Sequence, residues 1–557
     1  MNSCMNKPII YQILPRLWGN DKVRPKKNGG LADNGTGKFS DIDTATLEYL
    51  KWLGCSHVWY TGVIRHSTQE SEQGCTPSHL QFVKGKAGSP YAICDYYDVN
   101  AYLADDPANR MGEFEELLKR SHDAGLKVII DFVPNHVSRD YGKVGFSAEH
   151  PCLGADDDKN VHWSAENDFF YYPGQKLQLP SECPKGVEPY EEFPAMATGN
   201  NCFTPNPGVN DWYETIKINY CDFHTGTWDK MLDIVMFWAS KGVDGFRCDM
   251  VELVPPQFFQ WLIKNVKEKY PEIIFVAEVY KKDLYRQYIK EVGFDYLYDK
   301  SGLYDILRAV VEKAVNDNGI PVDLWQSATG ITRSWQFLND LQPRMLNFLE
   351  NHDEQRYASE YFGKDSCSFA ALYTSLYLNT APFMIYFGEE VGEKGMEEEG
   401  FSGVNGRTTI FDWWSVGSIR RLRKVIEKGE YKTLSVSALT KAGLKPEEAR
   451  IFARFAHATR FAATNVAITN GTTYDLCYCN FASDGFNKDR HFAFLRGYKD
   501  HTLLVAANFS MVPATMMLHI PQHAFEWMEI PQTADLNAST TLEITVPPMD
   551  GTILQLI

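Results

Sequence analysis

The chain has 557 residues, 44% hydrophobic and 23% charged, a globular balance long enough for one large domain plus one or two smaller ones. A formal net charge of −17 excludes DNA or RNA as the main partner, because a polyanion would be repelled, and it suits a neutral ligand. No run approaches the roughly 18 uninterrupted apolar residues of a membrane helix. The opening MNSCMNK lacks the apolar core and cleavage site of a secretory leader, so no membrane association and a cytoplasmic location are expected.

Strand-like and helix-like runs alternate over the first 440 or so residues. Pro8–Leu14 reads as a strand; a helical pattern ends at Leu47–Leu53 and Gly54, and His57–Thr61 is a short strand. Met111–Ala124 carries Phe114, Leu117 and Leu118 at helical spacing, Gly125 stops it, and Leu126–Val133 is a strand apolar on both faces. Residues 139–222 break the rhythm: they are rich in Gly, Pro, Asn, Asp and aromatics and read as a small inserted domain rather than one long loop. The alternation resumes with the helix Trp228–Ala239 and the strand Val243–Cys248. Next come a helix opened by Pro255 and Pro256, the strand Ile273–Ala277, the strand Leu346–Leu349, and the pair Phe369–Leu378 and Phe383–Phe387. Near-continuous apolar strands between amphipathic helices predict a buried parallel sheet. Pro446–Thr459 is a helix, acidic at its start and basic toward its end. From about 465 onward short β-rich runs dominate: DLCYCNF, HFAFLRG, TLLVAANFS, TMMLHI, LEITVPP and TILQLI. Cys477 and Cys479 fall in a strand-like run, Tyr474–Asn480, that puts both on one face. The 12 cysteines show no short-spacing framework and read as reduced thiols.

Four segments place acids at the C-terminal ends of predicted strands: DFVPNH (131–136), GFRCD (245–249), VAEVY (276–280) and NHD (351–353). In a parallel β/α barrel that end is the active-site face. Strand alternation sets Arg247 and Asp249 on one face, and a carboxylate beside a guanidinium is expected to stay ionised at low pKa. A lone Glu278 at the end of an apolar strand is expected to be pushed up by desolvation, as a general acid requires. One such acid is ordinary as a cap or ion pair; four in one α/β chain, two with adjacent histidines, are a constellation.

In this order the four segments resemble the sequence regions of the α-amylase superfamily, glycoside hydrolase family 13. The likeness extends to IIYQILPRL, GCSHVWYTGV, SPYAICDYYDVN and FMIYFGEEVG, and to the tail. It implies an α/β fold: a (β/α)8 TIM barrel over 1–138 and 223–464, an inserted small domain over 139–222 after strand 3, and a C-terminal all-β sandwich over 465–557. It implies a retaining hydrolase of α-linked glucans, mainly α-1,4, acting on oligo- or polysaccharide. Asp249 would be the nucleophile, Glu278 the acid and base, and Asp353 the binder of the sugar beside the cleaved bond. Arg247 would orient Asp249; His136, His352 and Asp131 would bind the sugar, and Tyr91 would stack beneath it. Transglycosylation or isomerisation on the same barrel stays open, because it shares the intermediate. A non-catalytic relative is disfavoured by the presence of all three acids.

The chemistry so implied needs no cofactor. Asn135 matches the family's calcium-ligand position, but Leu253 stands where many members carry a histidine and cannot ligate a metal through its side chain. The run Asp156–Asp158 has the oxygen chemistry of a hard-cation site and reads more simply as a solvated acidic run. ETIKINY (214–220) replaces the Pro-Asp-Leu-Asn type of segment common in relatives, and Ser89-Pro90-Tyr91 replaces Gly-Tyr.

Overall fold

A computed structural model describes residues 7–70, 75–143, 150–315, 326–364, 368–395, 403–531 and 540–556. The first six residues, read above for a leader, lie outside them.

Eight parallel strands close into a barrel: β1 (Ile9–Ile13), β2 (His57–Tyr60), β3 (Lys127–Phe132), β4 (Gly245–Cys248), β5 (Ile274–Ala277), β6 (Tyr296–Tyr298), β7 (Met345–Phe348) and β8 (Phe383–Tyr386). Each pairs with its sequence neighbours, and β1 pairs with β8 to close the ring. Their side chains are buried almost throughout, the signature of a sheet covered on both faces. Helices Thr44–Leu53, Arg110–Asp123, Gly226–Ser240 and Pro256–Lys269 make the first four crossovers. The first shows how such a helix is bounded: Asp43 accepts the Thr46 N–H at its start, and Gly54 ends it with a φ of 101°.

β6 is the barrel strand that periodicity does not reveal. It has three residues, Tyr296–Tyr298, and is reached from β5 by short helical turns rather than an amphipathic helix. Its flanks are acidic for local reasons. Asp295 accepts the Phe275 N–H of β5 at 2.8 Å, and Asp299 accepts the Leu303 N–H at 3.0 Å.

Between β3 and helix Gly226–Ser240 the insert folds as two small antiparallel pairs, His136–Ser138 with Thr215–Lys217 and Tyr171–Tyr172 with Ala195–Met196. Buried Arg139 gathers it: its guanidinium donates to Glu192 (2.7 Å), Thr198 (2.8 Å) and the Tyr213 carbonyl (2.5 Å). Asp168 ties it to the barrel, accepting from Thr227 (2.8 Å) and Lys230 (2.5 Å) of helix Gly226–Ser240.

The tail is all-β. β9 (Thr472–Asp475), β10 (His491–Tyr498), β11 (His501–Asn508) and β14 (Asp550–Gln555) form one antiparallel sheet, and β12 (Ala514–Ile520) pairs with β13 (Thr540–Val546). One expectation fails here. Cys477–Asn480 is a helical turn, not a strand, so Cys477 and Cys479 do not share a sheet face. The Asp475 carboxylate accepts the Cys477 N–H at 2.8 Å and turns the backbone, and Asn480 holds the turn by donating to the Leu476 carbonyl at 2.8 Å. The ten cysteines among the described residues are free thiols.

Gly245 shows how tightly β4 is fitted. Its register partners are Ile129 and Ile274, and an added Cβ would lie 2.6 Å from Ile274 Cγ1 and 3.2 Å from Ile129 Cγ1. Gly245→Ala should therefore cost about 1–3 kcal/mol through overpacking, read as a lower thermal midpoint. An unchanged midpoint would show that the two isoleucines can yield.

Candidate active site

The barrel register brings the acid-bearing segments together. Asp131 on β3 and Arg247 on β4 are lateral partners, and Arg247 pairs on its other side with Val276 of β5, two residues before Glu278. Arg247 is 1% exposed and lies within 5.2–5.6 Å of the ring centroids of Trp59, Tyr91 and Tyr298. Its Nη1 donates to Asp249 Oδ1 at 2.6 Å and lies 3.9 Å from Asp131; its Nη2 stands 2.8 Å from Glu278 Oε1. The two carboxyls thus share one guanidinium.

The chain between them is bent to fit. Met250, directly after Asp249, has a φ of 45°, left-handed backbone that costs a non-glycine residue roughly 1–2 kcal/mol. The bend aims the Met250 N–H at Glu278 Oε2, 2.9 Å away. Tyr280 donates its hydroxyl to the other oxygen at 2.5 Å.

These surroundings separate the acids. Burial pushes Glu278 up to about 7, and the negative charges of Asp249 and Asp353 push the same way against Arg247. Asp249 is also raised by burial, with Arg247 opposing, which corrects the expectation of a low pKa: desolvation at 5% exposure outweighs the guanidinium. Asp353 goes the other way. Burial alone would raise it, but His352, then Arg247 and Arg407, hold it at about 2, and its side chain is 44% exposed.

A cavity of about 300 Å³ opens over this cluster. Tyr91, His136, Asp249, Glu278 and Asp353 line it. Asp131, Arg247 and His352 stand behind the lining. Asp131 is engaged by Trp59 Nε1 (3.2 Å), the Gly62 N–H (3.3 Å) and the Tyr91 hydroxyl (3.2 Å). His352 lies 2.6 Å from the Tyr91 hydroxyl, 2.9 Å from Gln12 Nε2 and 3.0 Å from Asp353 Oδ2, and its ring stacks on Tyr91 at 5.2 Å. Burial lowers His136 to about 3, so it is a neutral ring at the wall.

Further residues line the cavity that the motifs do not assign, among them Lys84, Trp212, Glu214, Thr215, Tyr280 and Phe411. Tyr280 stood in plain view two residues after Glu278. Trp212 and Glu214 come from the insert and Phe411 from the chain after β8, where no periodicity marks a side chain as inward. Glu214 is 5% exposed, accepts the Lys84 N–H at 3.1 Å and is pushed by burial to about 7.

Asn135 is fully buried, and its Oδ1 accepts from Lys217 Nζ, which also donates to the Leu253 carbonyl at 2.8 Å. Among the described residues no group of three or more His, Cys, Asp or Glu is placed to hold a metal ion. These surroundings do not fit a calcium ion, which takes 6–8 oxygen lone pairs. In the run Asp156–Asp158, Asp157 turns inward to accept the Asp168 and Phe169 N–H groups.

The model of the α-amylase catalytic domain matches residues 31–430. The chain belongs to the α-amylase family. It is 22% identical over 466 residues to a glucan 1,6-α-glucosidase of Streptococcus dysgalactiae subsp. equisimilis, covering 79% of this chain and 73% of that enzyme. It is likewise 22% identical over 402 residues to a cyclomaltodextrinase of a Bacillus species, covering 70% of this chain but only 60% of the relative. The fold matches the maltogenic α-amylase AmyB of Thermotoga neapolitana (TM-score 0.58, 17% identity, 100% of this chain and 97% of that one). It also matches the cyclic α-maltosyl-(1→6)-maltose hydrolase of Arthrobacter globiformis (TM-score 0.61, 16% identity, 99% and 98%). No described helix of this α-amylase family member is long and apolar enough to cross a membrane.

The Tyr280 hydroxyl is the contact that most directly favours ionised Glu278 apart from the charges. Tyr280→Phe should raise the Glu278 pKa above about 7, read by a carbon-13 titration of the labelled carboxyl. A lower value in the variant would mean that the hydroxyl acts on the protonated form instead.

Proposed function

We propose that this chain is a retaining glycoside hydrolase that cleaves α-glucosidic bonds, mainly α-1,4, in starch-like glucans or maltooligosaccharides. The observation that carries this reading is the pair of carboxyls on one buried guanidinium, 2.6 Å to Asp249 and 2.8 Å to Glu278, at the floor of a cavity large enough for a sugar ring. Family membership and relatives named for glucan and cyclomaltodextrin chemistry support the substrate class.

In this mechanism Glu278 donates its proton to the glycosidic oxygen while an Asp249 oxygen bonds to the anomeric carbon. The C–O bond to the leaving sugar breaks with its electron pair on that oxygen. Glu278, now a carboxylate, takes a proton from water; the hydroxide oxygen bonds to the anomeric carbon and displaces Asp249. Two inversions retain the α configuration. Burial brings Glu278 to about 7, as an acid requires, while at Asp249 the directly bonded Arg247 opposes the upward push of burial. Asp353, with its side chain 44% exposed beside His352, is placed to accept hydroxyls of the sugar being cleaved.

The expected pH profile follows from the sign of the Glu278 shift. The acid must be protonated in the free enzyme, so kcat/KM should fall as pH rises through about 7. A plateau extending well above that pH would remove Glu278 as the acid. Glu278→Gln should lower kcat on poor leaving groups by about 10²–10⁴-fold while binding persists. Retained activity would overturn the assignment. Asp249→Asn should abolish the covalent glycosyl-enzyme trapped by a slow fluorinated substrate, and proton NMR of early products should show the α anomer. Early β anomer would rule out retention, and products longer than a maltoheptaose substrate would favour transglycosylation over hydrolysis.

A further inference from the structure

The family resemblance sets a calcium ligand at Asn135, and the residues around it build something else. Asn135 follows β3, Lys217 ends the insert strand Thr215–Lys217, and Leu253 lies in the chain after β4, four positions beyond Asp249. The Lys217 amine donates to Asn135 Oδ1 and, at 2.8 Å, to the Leu253 carbonyl. Asn135 Nδ2 donates in turn to the Gly199 carbonyl of the insert at 2.8 Å. Lys217 is 5% exposed.

We propose that the Lys217 amine replaces a structural metal ion at Asn135, fastening the insert to the barrel so that the folded chain is indifferent to calcium. A calcium ion at this junction would need oxygen lone pairs, and the two that converge here are taken by amine hydrogens. While the amine is protonated, the ion would also bring two positive charges against an ammonium in a buried setting, where like charges repel strongly. Burial lowers Lys217 to about 7, and the amine carries enough hydrogens for both acceptors in either protonation state. A buried lysine is itself costly to desolvate. The arrangement is self-consistent because, without this donor, the Asn135 and Leu253 oxygens would be left at a water-poor junction. The joint matters to the cavity, because His136 follows Asn135 and Trp212, Glu214 and Thr215 precede Lys217 in the wall.

The test is thermal unfolding of the full chain in EDTA and in millimolar calcium, with a calorimetric calcium titration alongside. The expected result is one midpoint in both buffers and no stoichiometric calcium binding. A midpoint that drops in EDTA and recovers with calcium, or one bound ion that Asn135→Ala abolishes, would overturn the proposal. Lys217→Met should lower the midpoint by several degrees, with no recovery in calcium; a wild-type midpoint in that variant would equally overturn it. Should Lys217→Met not fold, Asn135→Ala removes one of the two acceptors and is expected to show the same loss, again without rescue by calcium, while an unchanged midpoint would refute the fastening role.

Discussion

The site is organised around one buried cation. Arg247 sits inside the mouth of the barrel, ringed by Trp59, Tyr91 and Tyr298 and faced by Asp131, Asp249 and Glu278. A guanidinium at 1% exposure is stable there only because carboxylates and aromatic faces compensate for the lost water. Those carboxylates in turn owe their positions to it. Remove the charge and three acids are left to repel one another in a poorly hydrated space, so the same pairing that stabilises the barrel mouth also fixes the spacing of the groups that would do chemistry.

Around that centre the structure sorts its acids by environment rather than by residue type. Glu278 and Asp249 are buried and pushed up; Asp353, more open and next to His352, is held down. His352 is braced from behind by Gln12 of β1 and by Tyr91, and Asp131 braces Tyr91 in turn. Polar residues at the barrel's upper rim therefore form one connected network in which most members hold another member in place. A few face the cavity.

The insert completes the cavity from one side. Arg139 gathers it, Asp168 ties it to helix Gly226–Ser240, and Lys217 joins it to the chain after β3 and after β4. Its strands are short and its loops long, so side-chain donors do the work that extended ladders do elsewhere. That is also why its sequence looks irregular: the information lies in single polar residues, not in a repeating apolar stripe.

Much of the fold was legible in the sequence. Seven barrel strands announce themselves as largely apolar runs, because a strand buried on both faces is apolar at most positions, and most of the tail's strands do so as well. The acids Asp249, Glu278 and Asp353 were legible because charged groups at the ends of such runs are conspicuous. Other features depended on contacts between distant segments. β6 is too short and too polar at its flanks to show a period. The turn at Cys477 is set by one carboxylate. Burial, not the neighbouring arginine, governs the direction of the Asp249 shift. Trp212, Glu214 and Phe411 reach the cavity only because the chain brings remote loops over the barrel. Local pattern reports which residues must leave water; it carries no record of which partner meets them there, and Lys217 finding Asn135 and Leu253 is a fact of three dimensions alone.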